Sequence, residues 1–97
     1  MRVKIIGRWW EFRFCTNEEM EASGHADDDG YCSDPRDASP TIGVRRGLGI
    51  ERTLDVVIHE CLHAAAWHYR TEEEIEAEAT DLAAVIMSIA TVEFNDV

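Results

Sequence analysis

Two histidines four residues apart, His59 and His63, enclose a glutamate in the string His59-Glu60-Cys61-Leu62-His63. On a helix, that spacing sends both imidazoles out from one face, where they can share one metal ion. Glu60 lies about 100° further round, too far to join them easily as a ligand but placed to reach a water bound to that ion. Metal-assisted hydrolysis needs this arrangement: zinc lowers the pKa of the water and a carboxylate takes its proton. The expected roles are His59 and His63 as Zn2+ ligands, with Glu60 as general base and then proton donor.

A catalytic zinc ordinarily keeps three protein ligands and one position for water. A Gly at 66 and a His at 69 would supply the third ligand downstream of the motif, but the chain has Ala66 and Tyr69. The remaining source is a carboxylate on the helix that follows. His63 lies about six residues before the expected end of its own helix, or ~9 Å along the axis. An antiparallel partner starting near Glu72 regains that height about six residues in, which points to Glu76 or Glu78. Glu72 is too near the turn unless the helices cross steeply. Glu73 and Glu74 read as a solvated first turn.

The elements that must position these residues follow from periodicity. The motif helix is expected from Leu54 to Tyr69, with Thr53 as N-cap, Asp55 in the first turn, and Leu54, Ile58, Leu62 and Ala65 as its core stripe. Thr71 caps a second helix whose first turn is Glu72-Glu73-Glu74, where the helix dipole favours negative charge. Ile75, Ala79, Leu82, Ile86 and Ile89 form its apolar stripe. The connection is short, so the two helices are expected to be antiparallel neighbours. Upstream, Trp10, Phe12 and Phe14 alternate with Glu11 and Arg13, which predicts a strand over Trp9 to Phe14. Val3 to Ile6 reads as a strand paired with it through a turn at Gly7. Glu18 to Ala22 reads as a short helix begun by Thr16 or Asn17.

Gly24 to Pro40 is rich in Gly, Asp, Ser and Pro and reads as an acidic solvated loop. Its Asp27-Asp28-Asp29-Gly30 does not fit a calcium loop, because His25 and Arg36 would fall on ligand positions. Thr41 to Arg46 reads as a strand with Ile42 and Val44 inward. The expected fold is α+β: one domain over residues 1–97, a small, mainly antiparallel sheet packed on an antiparallel helical hairpin that carries the histidines.

Composition narrows the function. The chain has 97 residues and a net charge of −11, so its surface repels phosphate and nucleic acid is not an expected partner. The basic cluster Arg45-Arg46 with Arg52 is too small to reverse that. The apolar run from Leu82 to Val92 is about half the ~20 residues a membrane helix needs. The first residues carry no apolar stretch long enough for a signal peptide, and Cys15, Cys32 and Cys61 form no Cys-x-x-Cys pair. A cytoplasmic protein with reduced thiols is the expectation.

The string His59-Glu-Cys-Leu-His63, followed by Glu76-Ala-Glu-Ala-Thr-Asp-Leu-Ala83, resembles the ImmA/IrrE-type metallopeptidases, a gluzincin-like family. Their second signature is similar to Glu-x-Glu-Ala-Asn-x-Phe-Ala. The resemblance implies that its first glutamate, here Glu76, is the third zinc ligand. The Gly30-Tyr31 turn and the Ile42-Gly-Val44 segment also resemble small phage-borne proteins of this kind, so that the likeness spans roughly Gly30 to Ala90. Thr80 stands where the family has Asn or Asp, and the stretch from His63 to Glu76 is short. The resemblance implies peptide-bond hydrolysis in a polypeptide substrate, often a regulatory protein, with the strand Thr41 to Arg46 binding substrate by edge pairing. His25, Tyr31, His68 and Tyr69 are candidates to stabilise an oxyanion, and Trp67 to wall the pocket. Cys61 is expected to be a small buried apolar residue. Two rival readings are a non-catalytic module with a closed zinc site and a metal-free interaction protein.

Overall fold

The computed structural model describes residues 1–5, 8–65 and 71–96, the last stretch without the side chains of 82, 85 and 88–96. Seven elements run in chain order: β1 (Arg2–Ile5), β2 (Arg8–Cys15), α1 (Asn17–Ala22), β3 (Gly30–Cys32), β4 (Thr41–Arg45), α2 (Ile50–Ala65) and α3 (Glu72–Asp96). The fold is α+β, as expected, but the sheet is mixed. Its order is β1-β2-β4-β3, with antiparallel outer pairs and a parallel central pair in which Phe12 meets Ile42 and Phe14 meets Val44. The turn expected at Gly7 lies outside the described residues.

Alternation along β2 sets its faces. Trp10 and Phe12 are buried, and with Ile42, Val44 and Val56 they form the core between the sheet and α2. Phe14 lies on the same side at its rim, 41 % exposed and edge-on to Phe12. Thr16 caps α1 through a capping box: its hydroxyl accepts from the Glu19 amide at 3.2 Å, and its own amide donates to the Glu19 carboxylate at 3.1 Å. Met20, fully buried, anchors that helix.

Three sequence expectations are corrected. The loop expected over Gly24 to Pro40 contains β3, three residues long and paired with β4. Too few residues are involved for an alternation to show. The strand Thr41 to Arg46 ends at Arg45 and lies between β2 and β3, so both its edges are taken and it cannot pair with a substrate strand. The motif helix starts at Ile50, not Leu54; the Thr53 amide donates to the carbonyl of Gly49, whose φ of +82° only glycine adopts readily, which places Thr53 inside the helix rather than at its cap.

The face of α2 on the sheet also differs from expectation. Val56 is buried, and Val57, Cys61 and Ala64 pack against the core, whereas Leu54, Ile58 and Leu62 are half-buried and Ala65 is exposed. Thr71 caps α3 as expected, its hydroxyl accepting from the Glu74 amide at 3.2 Å. Ile75, Ala79 and Ala83 are its buried residues. The expected end of α2 at Tyr69, with Trp67, His68 and Tyr69 themselves, lies outside the described residues. Among the described residues no helix is long and apolar enough to cross a membrane.

Candidate metal centre

His59 and His63 lie one turn apart on α2, with ring centroids 4.9 Å apart. The first glutamate of α3 reaches both. Nε2 of His59 lies 2.8 Å from one carboxylate oxygen of Glu72, and Nε2 of His63 lies 2.7 Å from the other. Both histidines are largely buried, while Glu72 is 58 % exposed and comes in from the solvent side. Its place in the first turn of α3, just beyond the Thr71 cap, brings it there. Glu76, one turn further on, is exposed and lines the same cavity. The structure therefore brings Glu72, rather than Glu76 or Glu78, to the imidazole nitrogens.

Glu60 is 7 % exposed and lies against β3 while keeping a carboxylate oxygen near both imidazoles. A Cβ at Gly30 would lie 2.6 Å from Val56 Cγ1 and 3.1 Å from both Cγ and Oε2 of Glu60, so the glycine leaves the space that this side chain fills. Burial, and after it the negative charges of Glu72 and Asp28, push the Glu60 carboxyl up to about 7. The Cys32 thiol is pushed up to about 12 by burial, and then by Glu60 and Cys61, which leaves it an inert apolar contact at neutral pH. Cys61 is likewise raised by burial and packs on the core, as its sequence position implied.

Donor atoms of His59, Glu60 and His63 all lie within 4.8 Å of one another, and the three could hold a metal ion. Two imidazoles with carboxylates close by form the nitrogen–oxygen donor set that suits a divalent transition metal. The residues present fit such an ion.

The centre opens into a cavity of about 840 Å3 lined by α2, α3, β3 and the turn before β3. Several contacts that hold its walls were not legible in the sequence. Arg45 reaches from β4 into the preceding loop and donates to the carbonyls of Ala26 at 2.6 Å and Asp28 at 2.7 Å, and to Asn17 Oδ1 at 2.7 Å. Arg52 joins Asp29 of the loop to Asp55 of α2, at 3.0 and 3.2 Å. Thr80 on α3 donates to the Asp55 carboxylate at 3.4 Å. The Asp27-Asp28-Asp29 run is thus a fixed turn, not merely a solvated loop. The His25 ring stacks on Tyr31 at 4.4 Å and meets Asp28 Oδ2 at 2.9 Å. The spacing of three between His25 and Asp28 was the one available hint of that pair. Register puts the Tyr31 side chain, with Gly43, on the sheet face away from α2, so this pair braces the turn from the far side.

β3 is the sheet edge beside the centre. The Arg45 amide donates to the Asp29 carbonyl at 2.8 Å and the Ser33 amide to the Thr41 carbonyl at 2.9 Å. By antiparallel alternation, Gly30 and Cys32 then direct their own N–H and C=O groups away from β4. No protein-family model, curated protein or solved structure matches the chain.

Proposed function

We propose that this protein is a small zinc-dependent peptidase of the ImmA/IrrE type, with the metal held by His59, His63 and a carboxylate of α3. Glu72 is the carboxylate that geometry favours; Glu76 is the one the family resemblance implies. The observation that carries the reading is the convergence of two imidazoles of one helix on a single carboxylate, with the buried Glu60 beside them. A bound zinc ion supplies a water of lowered pKa and polarises the scissile carbonyl.

The residues divide the remaining work. Glu60, buried beside the two imidazoles, accepts the proton of the attacking water. It then returns that proton to the amide nitrogen as the carbon–nitrogen bond breaks. The outward N–H and C=O groups of Gly30 and Cys32 hold the substrate backbone as an added strand, a role that falls to β3 because β4 is enclosed. A polypeptide, such as a regulatory protein, is the substrate.

A second reading has one observation in its favour. Glu60 lies close enough to the histidines to serve as a further ligand, which would close the site and make the metal structural. Glu60→Gln separates the two. As a base, it keeps stoichiometric zinc and the fold while hydrolysis of a test polypeptide stops; as a ligand, its replacement releases the metal. Purified protein that takes up no zinc, even when zinc is supplied, overturns both.

A further inference from the structure

The positive charge of this acidic chain is concentrated at one edge of its sheet. Residues 1–16 hold four of its nine Lys and Arg but one of its twenty Asp and Glu. β1 is one outer strand of the sheet and β3 the other. The Phe12 amide donates to the Met1 carbonyl at 2.7 Å, so by antiparallel alternation Val3 and Ile5 bond to β2, while Arg2 and Lys4 direct their own N–H and C=O groups outward. The side chains of these two residues lie on the sheet face away from α2. Arg2 Cζ is 4.9 Å and Lys4 Nζ 5.6 Å from the centroid of the Trp9 ring, a residue 50 % exposed. The indole thus steadies both cations, and neither has an ion pair among the described residues. Val3 and Ile5, on the other face, are half-buried against the core.

Going beyond the peptidase reading, we propose that β1 is a docking edge for an extended acidic segment of a partner protein, in which Asp or Glu alternates with apolar residues. Strand addition satisfies the outward backbone groups of Arg2 and Lys4. Successive side chains of the added strand fall on opposite faces. On the outer face they stand beside Arg2 and Lys4, where opposite charge is favoured. On the inner face they extend the apolar row of Val3 and Ile5. Charges on an edge strand keep ordinary strands from pairing. Here the same charges admit a strand of opposite sign, and Trp9 has already oriented them. A nucleic acid or an anionic bilayer would also meet these cations. Neither continues a ladder or uses Val3 and Ile5, however, and a chain of net charge −11 repels an extended polyanion. Arg2 and Lys4 do not line the cavity of the metal centre, so this inference stands or falls apart from hydrolysis.

The test is an NMR titration of the full-length, isotope-labelled protein with three ten-residue peptides. In the first, Glu alternates with Val or Thr; in the second, Gln replaces each Glu; the third has the composition of the first with all Glu at one end. The alternating Glu peptide should shift the Lys4 amide and the Trp9 indole N–H, and at low salt bind about tenfold more tightly than the Gln peptide. The rearranged peptide should bind no better than the Gln peptide, and added salt should narrow the gap. Arg2→Gln with Lys4→Gln should abolish the preference and leave the urea midpoint near wild type. Lys4→Pro removes an outward donor and leaves the ladder to β2 intact, so it should weaken binding beyond Lys4→Gln. Equal binding of the Glu and Gln peptides, equal binding of the rearranged peptide, no shift at β1, or a preference that survives the double substitution would overturn the inference. So would tighter binding of an oligothymidylate or of phosphatidylserine vesicles at the same residues, which would assign this edge to a polyanion and not to a strand.

Discussion

Gly30 and Glu60 are fitted to one another: the side chain that any other residue would carry at 30 would occupy space that the Glu60 carboxylate and Val56 already fill. The position of the buried acid depends on the absence of an atom on the neighbouring strand. Gly30→Ala should therefore disturb Glu60 without touching His59, His63 or Glu72. Overpacking of this kind costs about 1–3 kcal/mol, readable as a lower urea midpoint, and hydrolysis should fall while zinc affinity stays near wild type. Unchanged stability and activity would show that β3 can back away from α2.

Glu60 also sets a dependence on pH in the metal-free protein. Its folded-state carboxyl stands at about 7, above the ordinary 4.5 that the unfolded chain restores. The folded state then holds the proton more tightly, so this group's contribution to stability is complete below about 4.5 and is lost as pH rises through about 7. The loss is on the order of 3 kcal/mol. Urea unfolding in the presence of a chelator at pH 4.5, 6 and 7.5 should show wild type losing ground to Glu60→Gln at each step. Parallel curves for the two proteins would contradict the burial assigned to this carboxyl.

Glu72 and Glu76 make opposite claims on the metal. With Glu72 on both imidazole nitrogens, Glu72→Gln should weaken zinc binding by on the order of 100-fold or more, since even residues outside the ligand shell are worth 10–100-fold. Glu76→Gln should change it little. Competition against a chromogenic chelator measures both. The reverse ranking would mean that α3 moves by a turn when the metal binds.

Arg45 should matter more than a surface arginine does. Its side chain is only 15 % exposed and ties the Ala26 and Asp28 carbonyls to β4. Arg45→Met keeps the bulk and removes the donors, at a cost of roughly 2–3 kcal/mol. Hydrogen exchange should speed up between His25 and Asp29 and remain slow in α2. Unaltered protection there would assign the order of this turn to its other contacts.

Local signals were legible and long-range ones were not. The histidine spacing, the β2 alternation and the Thr16 and Thr71 caps are each encoded within a few residues, and the structure contains them. Glu72 ranks below Glu76 and Glu78 in the sequence, as a ligand only if the helices cross steeply, because helix heights are reckoned as if the two helices lay side by side. The close approach of α3 to His59 and His63 has no local trace. The stripe Leu54-Ile58-Leu62 was assigned to the core because α2 is apolar on more than one side. It packs on both the sheet and α3, and periodicity cannot say which apolar face meets which neighbour. The place of β4 inside the sheet depends on pairing with β2, which precedes it by some thirty residues.

The contact between Gly30 and Glu60 has a consequence for the order in which the centre is assembled. His59 and His63 are neighbours on a single helix, so the two nitrogens of the candidate centre can come together as soon as α2 forms, within the microsecond range of helix growth. The chamber around Glu60 cannot. Gly30 meets Glu60 from another part of the chain, across β4 and the loops that flank it, and closing that length is the kind of non-local step that slows folding. The two imidazoles are thus able to converge before Glu60 is enclosed, so that the pair of nitrogens and the buried acid are assembled as separate events in time.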